Sequence, residues 1–500
     1  MVGREVVERT GGGIPSPMSS LRRQIASGMF WNVLQAGVSR AISALTTMVL
    51  LWYLSPNDFG VLAAALVVIA LLEPFNDAGL SKELIFRQDR LEEAYDTAFW
   101  LGLAFNGALF ALVLLARPLI QSYSEDPDVT RIAAWLSVSL VITGAGILPR
   151  TILQKELLFK KAALRDIVAP VIGGGLALLM AVAGYGVWSL VARHLIGNLA
   201  SLALLWWVCP YRPKFRVDMG LAWEMVSYGK HLVAHLALMM LAANLDRLLA
   251  VRLVGSTALG FYAVAMLLVE LPVRVVSQAI GQVMFPVFSM LQADRTSVAR
   301  AYVKGIRLIA IILVPLQVAL AVLGPSLIQA LYGERWEATG QLLPTLAVYG
   351  ILGGLAMLAG EVFKGMGHTW LASSASLFQL ALLLALLLGL GTWLGIFGIA
   401  VAATLAMGAR FALDAYRVSA LVNIAFADIG GACFKPIVYA GLAFAPVAWL
   451  LTFGASLVWI GVLGVGGMML YGAALWWSDR KFTLEMLESL GLLKTTTDPL

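Results

Sequence analysis

Asp246, Arg247 and Arg252 stand in the stretch "ANLDRLLAVRLVG" at residues 243–255, at the end of a long apolar run. A guanidinium in such a place can meet an anion through charge-assisted hydrogen bonds. A carboxylate there can hold a proton or a cation, or pair with a neighbouring arginine. Other polar groups recur at similar depth. Asn32, Gln35 and Ser39 form a stripe at helical spacing, with Arg40 at its edge. Arg193 and His194 lie within "GVWSLVARHLIGN". Glu270 and Arg274 are one helical turn apart and flank Pro272, and Glu73–Pro74 repeats that element earlier in the chain. An ionisable group inside a span costs about 2.5–3.5 kcal/mol on insertion scales. Each of these groups therefore needs a partner or a use.

For most of them two readings stand side by side. Asn32, Gln35 and Arg40 suit the wall of a cavity for an anion, or glue between helices. Asp246 is a proton or cation site, or part of an ion pair with Arg40 or Arg247. His231, His235, Ala242 and Asp246 share a face, which fits simple hydrogen bonding better than a proton relay. Glu270, Arg274 and Pro272 suit a gate, or an ordinary kink with a satisfied pair.

The elements that must position these groups follow from composition. The chain has 500 residues, 60% hydrophobic and only 13% charged, with a mean hydropathy of +0.86. Soluble domains are nearer one-quarter charged, so lipid is the solvent for this chain. Apolar runs of spanning length predict fourteen transmembrane helices: 28–53, 59–75, 97–116, 132–150, 166–184, 187–207, 231–251, 257–276, 307–324, 342–362, 370–389, 393–411, 434–453 and 456–477. Strand-period alternation is absent, so the expectation is an all-α polytopic protein and not a barrel. The polar first 20 residues lead into no short apolar core with a cleavage site, which argues against a cleaved signal peptide.

The net charge of +6 would suggest nucleic acid in a soluble protein. Here the basic residues follow topology. With the N-terminus inside, 27 of the 35 Lys and Arg fall in inside segments, and Arg117, Arg131, Arg252 and Arg335 fall outside. That is the positive-inside bias, and it predicts both termini in the cytoplasm. The outside loops are short, the longest being 117–131 and 325–341. None is large enough for a soluble catalytic module. Two cysteines, Cys209 and Cys433, leave no disulfide framework or zinc cluster to expect. No phosphate-binding loop, His-Glu-x-x-His pair or nucleophile elbow occurs, so neither ATP use nor a metal or cofactor is predicted.

An internal repeat orders the helices. "FGVLAAALVVIAL" (59–71) aligns with "LGFYAVAMLLVEL" (259–271), so that Gly60 meets Gly260. "GVWSLVA" (186–192) resembles "GIFGIAV" (395–401). The offsets, 200 and 209, imply two six-helix lobes that enter the membrane in the same sense, with a site between them near mid-depth. The predicted divisions are a tail at 1–25, an N-lobe at 26–228, a C-lobe at 229–430, two appended helices at 431–478 and a tail at 479–500.

Seven stretches in order resemble the polysaccharide transporter family, the Wzx-like oligosaccharide flippases, and within it the colanic-acid-exporter branch. They are "LSPNDFG" (54–60), "DAGLSKELIFRQD" (77–89), "KELLFKKAALRDI" (155–167), "GYGVWSLV" (184–191), "NLDRLLAVRLVGSTALGFYAVA" (244–265), "FPVFSMLQAD" (285–294) and "LYGERWEAT" (331–339). The resemblance implies the multidrug/oligosaccharidyl-lipid/polysaccharide exporter superfamily and two lobes around a cationic cavity. It implies an undecaprenyl-pyrophosphate-linked glycan as substrate, turned across a bacterial inner membrane. It also implies a proton or sodium gradient as driving force, and a polymerase and glycosyltransferases as pathway partners. The "NLDR…R" pattern falls on Asn244, Asp246, Arg247 and Arg252. Relatives often carry Arg just before the "L-x-P…G" element, where this chain has Trp52. Two alternatives remain: a cation-coupled drug or small-molecule antiporter of the same architecture, and an enzyme of the same pathway.

Overall fold

The computed structural model describes residues 35, 37–77, 79–156, 158–452 and 456–478, with side chains 159–164, 227–239, 242–243, 278 and 282 set aside. Asn32 lies outside these residues, as do the side chains of His231, His235 and Ala242.

The described chain is helical, and no strand occurs among these residues. The long helices are α1 (37–53), α2 (Pro56–Asp77), the short α3 (Leu80–Phe86), α4 (Leu91–Leu115), the short α5 (Arg117–Ser124), α6 (Pro127–Leu136), α7 (Val138–Lys155), α8 (Phe159–Val182) and α9 (Val187–Val208). There follow α10 (Met219–Leu291), α11 (Arg295–Tyr332), α12 (Glu337–Gly365), α13 (Thr369–Leu386), α14 (Thr392–Val422), α15 (Phe426–Leu451) and α16 (Leu457–Ser478). Among the described residues, 11 helices are long and apolar enough to cross a membrane. Two of these are 48 and 54 residues long, more than twice the ~20 needed for one crossing. Each turns back at a glycine with positive φ, Gly255 (78°) or Gly395 (57°). Only glycine enters that region at no steric cost. α10 as a whole and the 369–422 stretch therefore each hold two of the spans expected from the sequence, and α1 supplies the first. The protein is an all-α, polytopic membrane protein.

Local chemistry explains the helix starts. In "LSPNDFG", Ser55 caps α2 and Pro56 occupies its first turn. Asp58 Oδ2 accepts from the Ser55 N–H at 2.8 Å and from Ser55 Oγ at 2.6 Å, the reciprocal arrangement of a capping box. Asp126 accepts the Asp128 N–H at 2.9 Å ahead of α6. The expected loop 117–131 is thus mostly helix, because proline and aspartate punctuate it. Asp294 caps α11 through the Thr296 and Ser297 N–H groups and Ser297 Oγ. Ser297's bonds hold the Asp294 carboxyl below its usual range.

The chain forms two compact units. Unit 1 comprises Met1–Leu50, Leu72–Leu114 and Leu136–Ala234; unit 2 comprises Leu51–Leu71, Leu115–Trp135 and His235–Leu500. In unit 1 a core of Leu80, Leu84, Ala98, Ile147, Leu148 and Met225 joins α3, α4, α7 and the start of α10. Lys155 Nζ closes α3 by donating to the carbonyls of Leu84 (2.8 Å) and Arg87 (2.5 Å), where cations suit a helix C-terminus. In unit 2 one core holds Tyr302, Ile306 and Val314 of α11, Phe363 of α12, Val418 of α14, Phe444 of α15 and Tyr471 of α16. Tyr471 also donates to the Ile311 carbonyl at 2.9 Å. The two helices beyond the repeat are therefore integral to this core and not a loose appendage.

Candidate functional site

In unit 2, the reversal at Gly255 folds the two arms of α10 so that residues far apart in sequence meet. Arg247 Nη2 lies 3.7 Å from Glu270 Oε1, and Arg274 Nη2 lies 2.6 Å from Glu270 Oε2. One carboxylate thus stands between two guanidinium groups. Asp246 turns elsewhere: its Oδ2 accepts the Tyr262 hydroxyl at 2.6 Å, and both residues are buried. The sequence offered Asp246 as a proton or cation site, or as an ion-pair partner of Arg40 or Arg247. Successive residues on a helix point about 100° apart and do not face each other, and Glu270 takes that place. Tyr262 was not singled out from the sequence, although it sits in the repeated segment.

Unit 1 holds a second set. Arg193 of α9 donates to Thr47 Oγ1 at 2.7 Å and to the Ser43 carbonyl at 2.9 Å, both on α1. A Cβ on Gly173 of α8 would lie 2.6 Å from the Arg193 carbonyl oxygen, so α8 presses closely on the same turn. Arg193 is thereby bound into a helix seam. Gln35 Oε1 is buried without a hydrogen-bond partner, and Arg40 is part-buried on α1. Glu73 is exposed at the α2 end and, with Asp77, Arg165 and Asp166, surrounds Arg150. Arg150 and Arg165 read in the sequence as ordinary loop charges.

The third arrangement lies wholly within unit 2 and joins the two repeats. A Cβ on Gly60 would lie 1.7 Å from the Ser256 carbonyl oxygen, and one on Gly260 would lie 1.8 Å from that of Pro56. At an offset of 200, Pro56 is the counterpart of Ser256. The contact is therefore reciprocal, as at a two-fold axis, where a residue can meet its own equivalent. Thr257 Oγ1 donates to Asn57 Oδ1 at 3.0 Å, and these too are equivalents. Small residues allow such close backbone approach between membrane helices.

Each side of this seam is closed by a segment from the opposite repeat. The turn between α5 and α6 reaches the end of the first α10 arm. Glu125 pairs with Arg252, Asp126 Oδ2 accepts Ser256 Oγ at 2.6 Å, and Tyr123 donates to the Leu248 carbonyl at 3.0 Å. The turn after α11 reaches the end of α1. Trp52 Nε1 donates to the Leu331 carbonyl at 3.0 Å, and Arg335 donates to the carbonyls of Leu51 (2.8 Å) and Trp52. Trp336, fully buried, donates to the Leu51 carbonyl at 3.1 Å and meets Phe59 edge-on. Trp52 replaced the arginine that relatives often carry before "L-x-P…G". Here Arg335, from the other repeat, brings a guanidinium to that end of α1.

The two closures differ in strength. Arg252 and Glu125 are both well exposed, at 48% and 69% of their side chains, and such pairs contribute about 0–1 kcal/mol. Arg335 is exposed as well, but it donates to two carbonyls at the end of α1, those of buried Leu51 and half-exposed Trp52. Loss of its bonds is expected to speed maleimide labelling of a cysteine at Thr257 about tenfold in Arg335→Ala, but less than about threefold in Arg252→Ala. Equal labelling in both variants would show that these closures carry no weight.

Residues 49–340 match the family model described as polysaccharide biosynthesis protein. The chain belongs to that family. Within it, the chain is 24% identical to the lipopolysaccharide biosynthesis protein WzxC of Escherichia coli (strain K12) over 386 residues, 76% of this chain and 78% of that protein. It is 25% identical to the succinoglycan biosynthesis transport protein ExoT of Rhizobium meliloti (strain 1021) over 327 residues, 65% of this chain and 66% of ExoT. The fold is shared with the lipid II flippase MurJ in an inward closed conformation, with a TM-score of 0.72, 14% identity and coverage of 92% of this chain and 99% of MurJ. It is shared also with an inward-facing multidrug resistance MATE transporter of the MOP superfamily, with a TM-score of 0.61, 16% identity and coverage of 79% and 99%. This is a multi-pass membrane protein of a family of polysaccharide transport proteins.

Proposed function

We propose that the protein turns a lipid-linked oligosaccharide, carried on a polyprenyl pyrophosphate such as undecaprenyl pyrophosphate, across a bacterial inner membrane by alternating access. The observation that carries this reading is the reciprocal seam at Gly60 and Gly260. Segments of the two repeats that meet through a reciprocal two-fold contact, held by polar closures, have a contact that can part. The names of the relatives point to polysaccharide biosynthesis and transport, and the polyprenyl carrier is what the sequence resemblance implies. In this reading the lobes run over 26–228 and 229–430, both termini are cytoplasmic, and the seam lies on the outer side.

The charges at depth then serve a polar headgroup. The polyprenyl tail stays in lipid while the pyrophosphate crosses a region where an unpaired charge is costly. Arginines offset that cost through charge-assisted bonds. Arg40, Arg247 and Arg274 are the candidates, with Arg150 at the cytoplasmic mouth, and Glu270 keeps two of them compensated when no substrate is present. Arg193 serves this reading as a brace between α1 and α9. A proton or sodium gradient drives the cycle, and a polymerase and glycosyltransferases act on either side of the step.

Deletion of the gene tests this directly. Lipid-linked glycan is expected to accumulate on the cytosolic leaflet, and the wild-type protein is expected to release it. Arg40→Ala should insert normally yet export less than about one-tenth as much, the factor for a lost charge-assisted bond. Unchanged surface polysaccharide in the deletion strain would refute the reading, and normal export by Arg40→Ala would remove that residue from it.

A further inference from the structure

We infer that Gln317 is a positioning residue for the proline-containing arm of α10, held in place by Gly350. Pro272 lacks an N–H, and its ring crowds the turn before it. On that turn the Val269 carbonyl accepts Gln317 Nε2 at 2.8 Å. Gln317 comes from α11 and is fully buried. A Cβ on Gly350 of α12 would lie 2.7 Å from Gln317 Nε2 and 2.8 Å from Val269 Cγ1, so glycine is what leaves the amide its place. Gln317 Oε1 is buried without a partner. A buried amide with one unmade bond is expensive, and an apolar side chain would fill the same space at lower cost. Its presence points to the one bond it makes. The residue after Val269 is Glu270, which stands between Arg247 and Arg274. Securing the Val269 carbonyl therefore sets where that carboxylate points.

Unit 1 contains the same set of parts. Asn106 of α4 is fully buried and donates to the Asn76 carbonyl at 2.8 Å, two residues beyond Pro74 and three beyond Glu73, and to the Gly102 carbonyl of its own helix at 2.9 Å. Its Oδ1 has no partner. A Cβ on Gly144 of α7 would lie 2.7 Å from Asn106 Cβ. In the repeat register Val269 aligns with Ile69, and Asn76 aligns with Val276, so the two clamps sit seven residues apart along their helices. Each nonetheless combines a buried amide, a carbonyl beside a Glu and Pro element, and a glycine on a neighbouring helix. Chance packing does not readily give the combination twice.

The inference rests on the transport reading, but its first readout does not. Spin labels at Leu267 and Val283, both exposed, flank Pro272 about 24 Å apart along the helix. With Cys209 and Cys433 replaced by alanine, pulsed dipolar spectroscopy reports the bend. Gln317→Met keeps length and bulk but cannot donate. It is expected to shift or broaden the 267–283 distance distribution and to lower glycan transport about tenfold. Gly350→Ala, which displaces the amide, should do the same and serves if Gln317→Met does not fold. An unchanged distribution in either folded variant would overturn the clamp. A changed distribution with unchanged transport would overturn its role in positioning. Absence of glycan transport in the wild type would count against the proposed function alone, because the distances are read without substrate.

Discussion

Cysteines at positions 57 and 257 are expected to form a disulfide on oxidation and to stop transport, with reduction restoring it. Asn57 Oδ1 and Thr257 Oγ1 are 3.0 Å apart, so the two side chains face each other across the seam, as a cross-link requires. The backbones on either side already touch at Gly60 and Gly260, so little movement is needed. The endogenous Cys209 and Cys433 are buried and should not compete. In the proposed cycle, a covalent bond across the seam removes the open state on that side. Lipid-linked glycan should then collect on the cytosolic leaflet in oxidised cells and leave it after reductant. Equal export by the oxidised and reduced forms, with the cross-link verified, would exclude opening at this seam.

Glu270→Gln is expected to have the second large effect, on turnover more than on affinity. Glu270 is the shared acceptor of Arg247 and Arg274. Removing its charge leaves two guanidinium groups near each other without their common partner. Breaking a fully buried pair costs 3–5 kcal/mol. Glu270 and Arg247 keep 23% and 27% side-chain exposure, so screening lowers this to about 1–3 kcal/mol. If that cost falls on the state through which the headgroup passes, turnover drops roughly ten- to a hundredfold. The half-saturating glycan concentration should shift less than threefold, on the order of 0.6 kcal/mol. Transport measured in vesicles over a range of lipid-linked glycan concentrations separates the two quantities. A change in affinity with unaltered maximal rate would place Glu270 in binding and not in gating.

The sequence marked Glu270 as a gate residue, but it did not mark the seam. Asn57 and Thr257 lie in segments that carry the family resemblance, two residues before the repeated stretches, yet neither carries a charge, and spacing alone gave no reason to choose them. Arg252 drew attention as a cavity residue because it is a charge near an apolar run. The structure sets it beside Glu125, whose own place is at the end of a short helix where a loop was expected. Asp246 and Arg247 looked like partners because they are adjacent. On a helix, adjacency separates side chains, and each found its partner, Tyr262 or Glu270, on a different turn.

The amino-acid sequence by itself determined the solvent, the all-α class, the approximate positions of the spans, the repeat and the family. Those follow from properties that are local or cumulative along the chain: apolar length against bilayer thickness, capping residues, and the same motif met twice. Tertiary structure decided which polar groups meet. Gly255 reverses α10 and carries Glu270 back to Arg247, the close approach of Gly60 and Gly260 lines up equivalents from two repeats, and a missing Cβ at Gly350 lets Gln317 reach a carbonyl 48 residues away. These contacts depend on where helices cross and how closely their backbones approach, quantities that no stretch of twenty residues encodes alone.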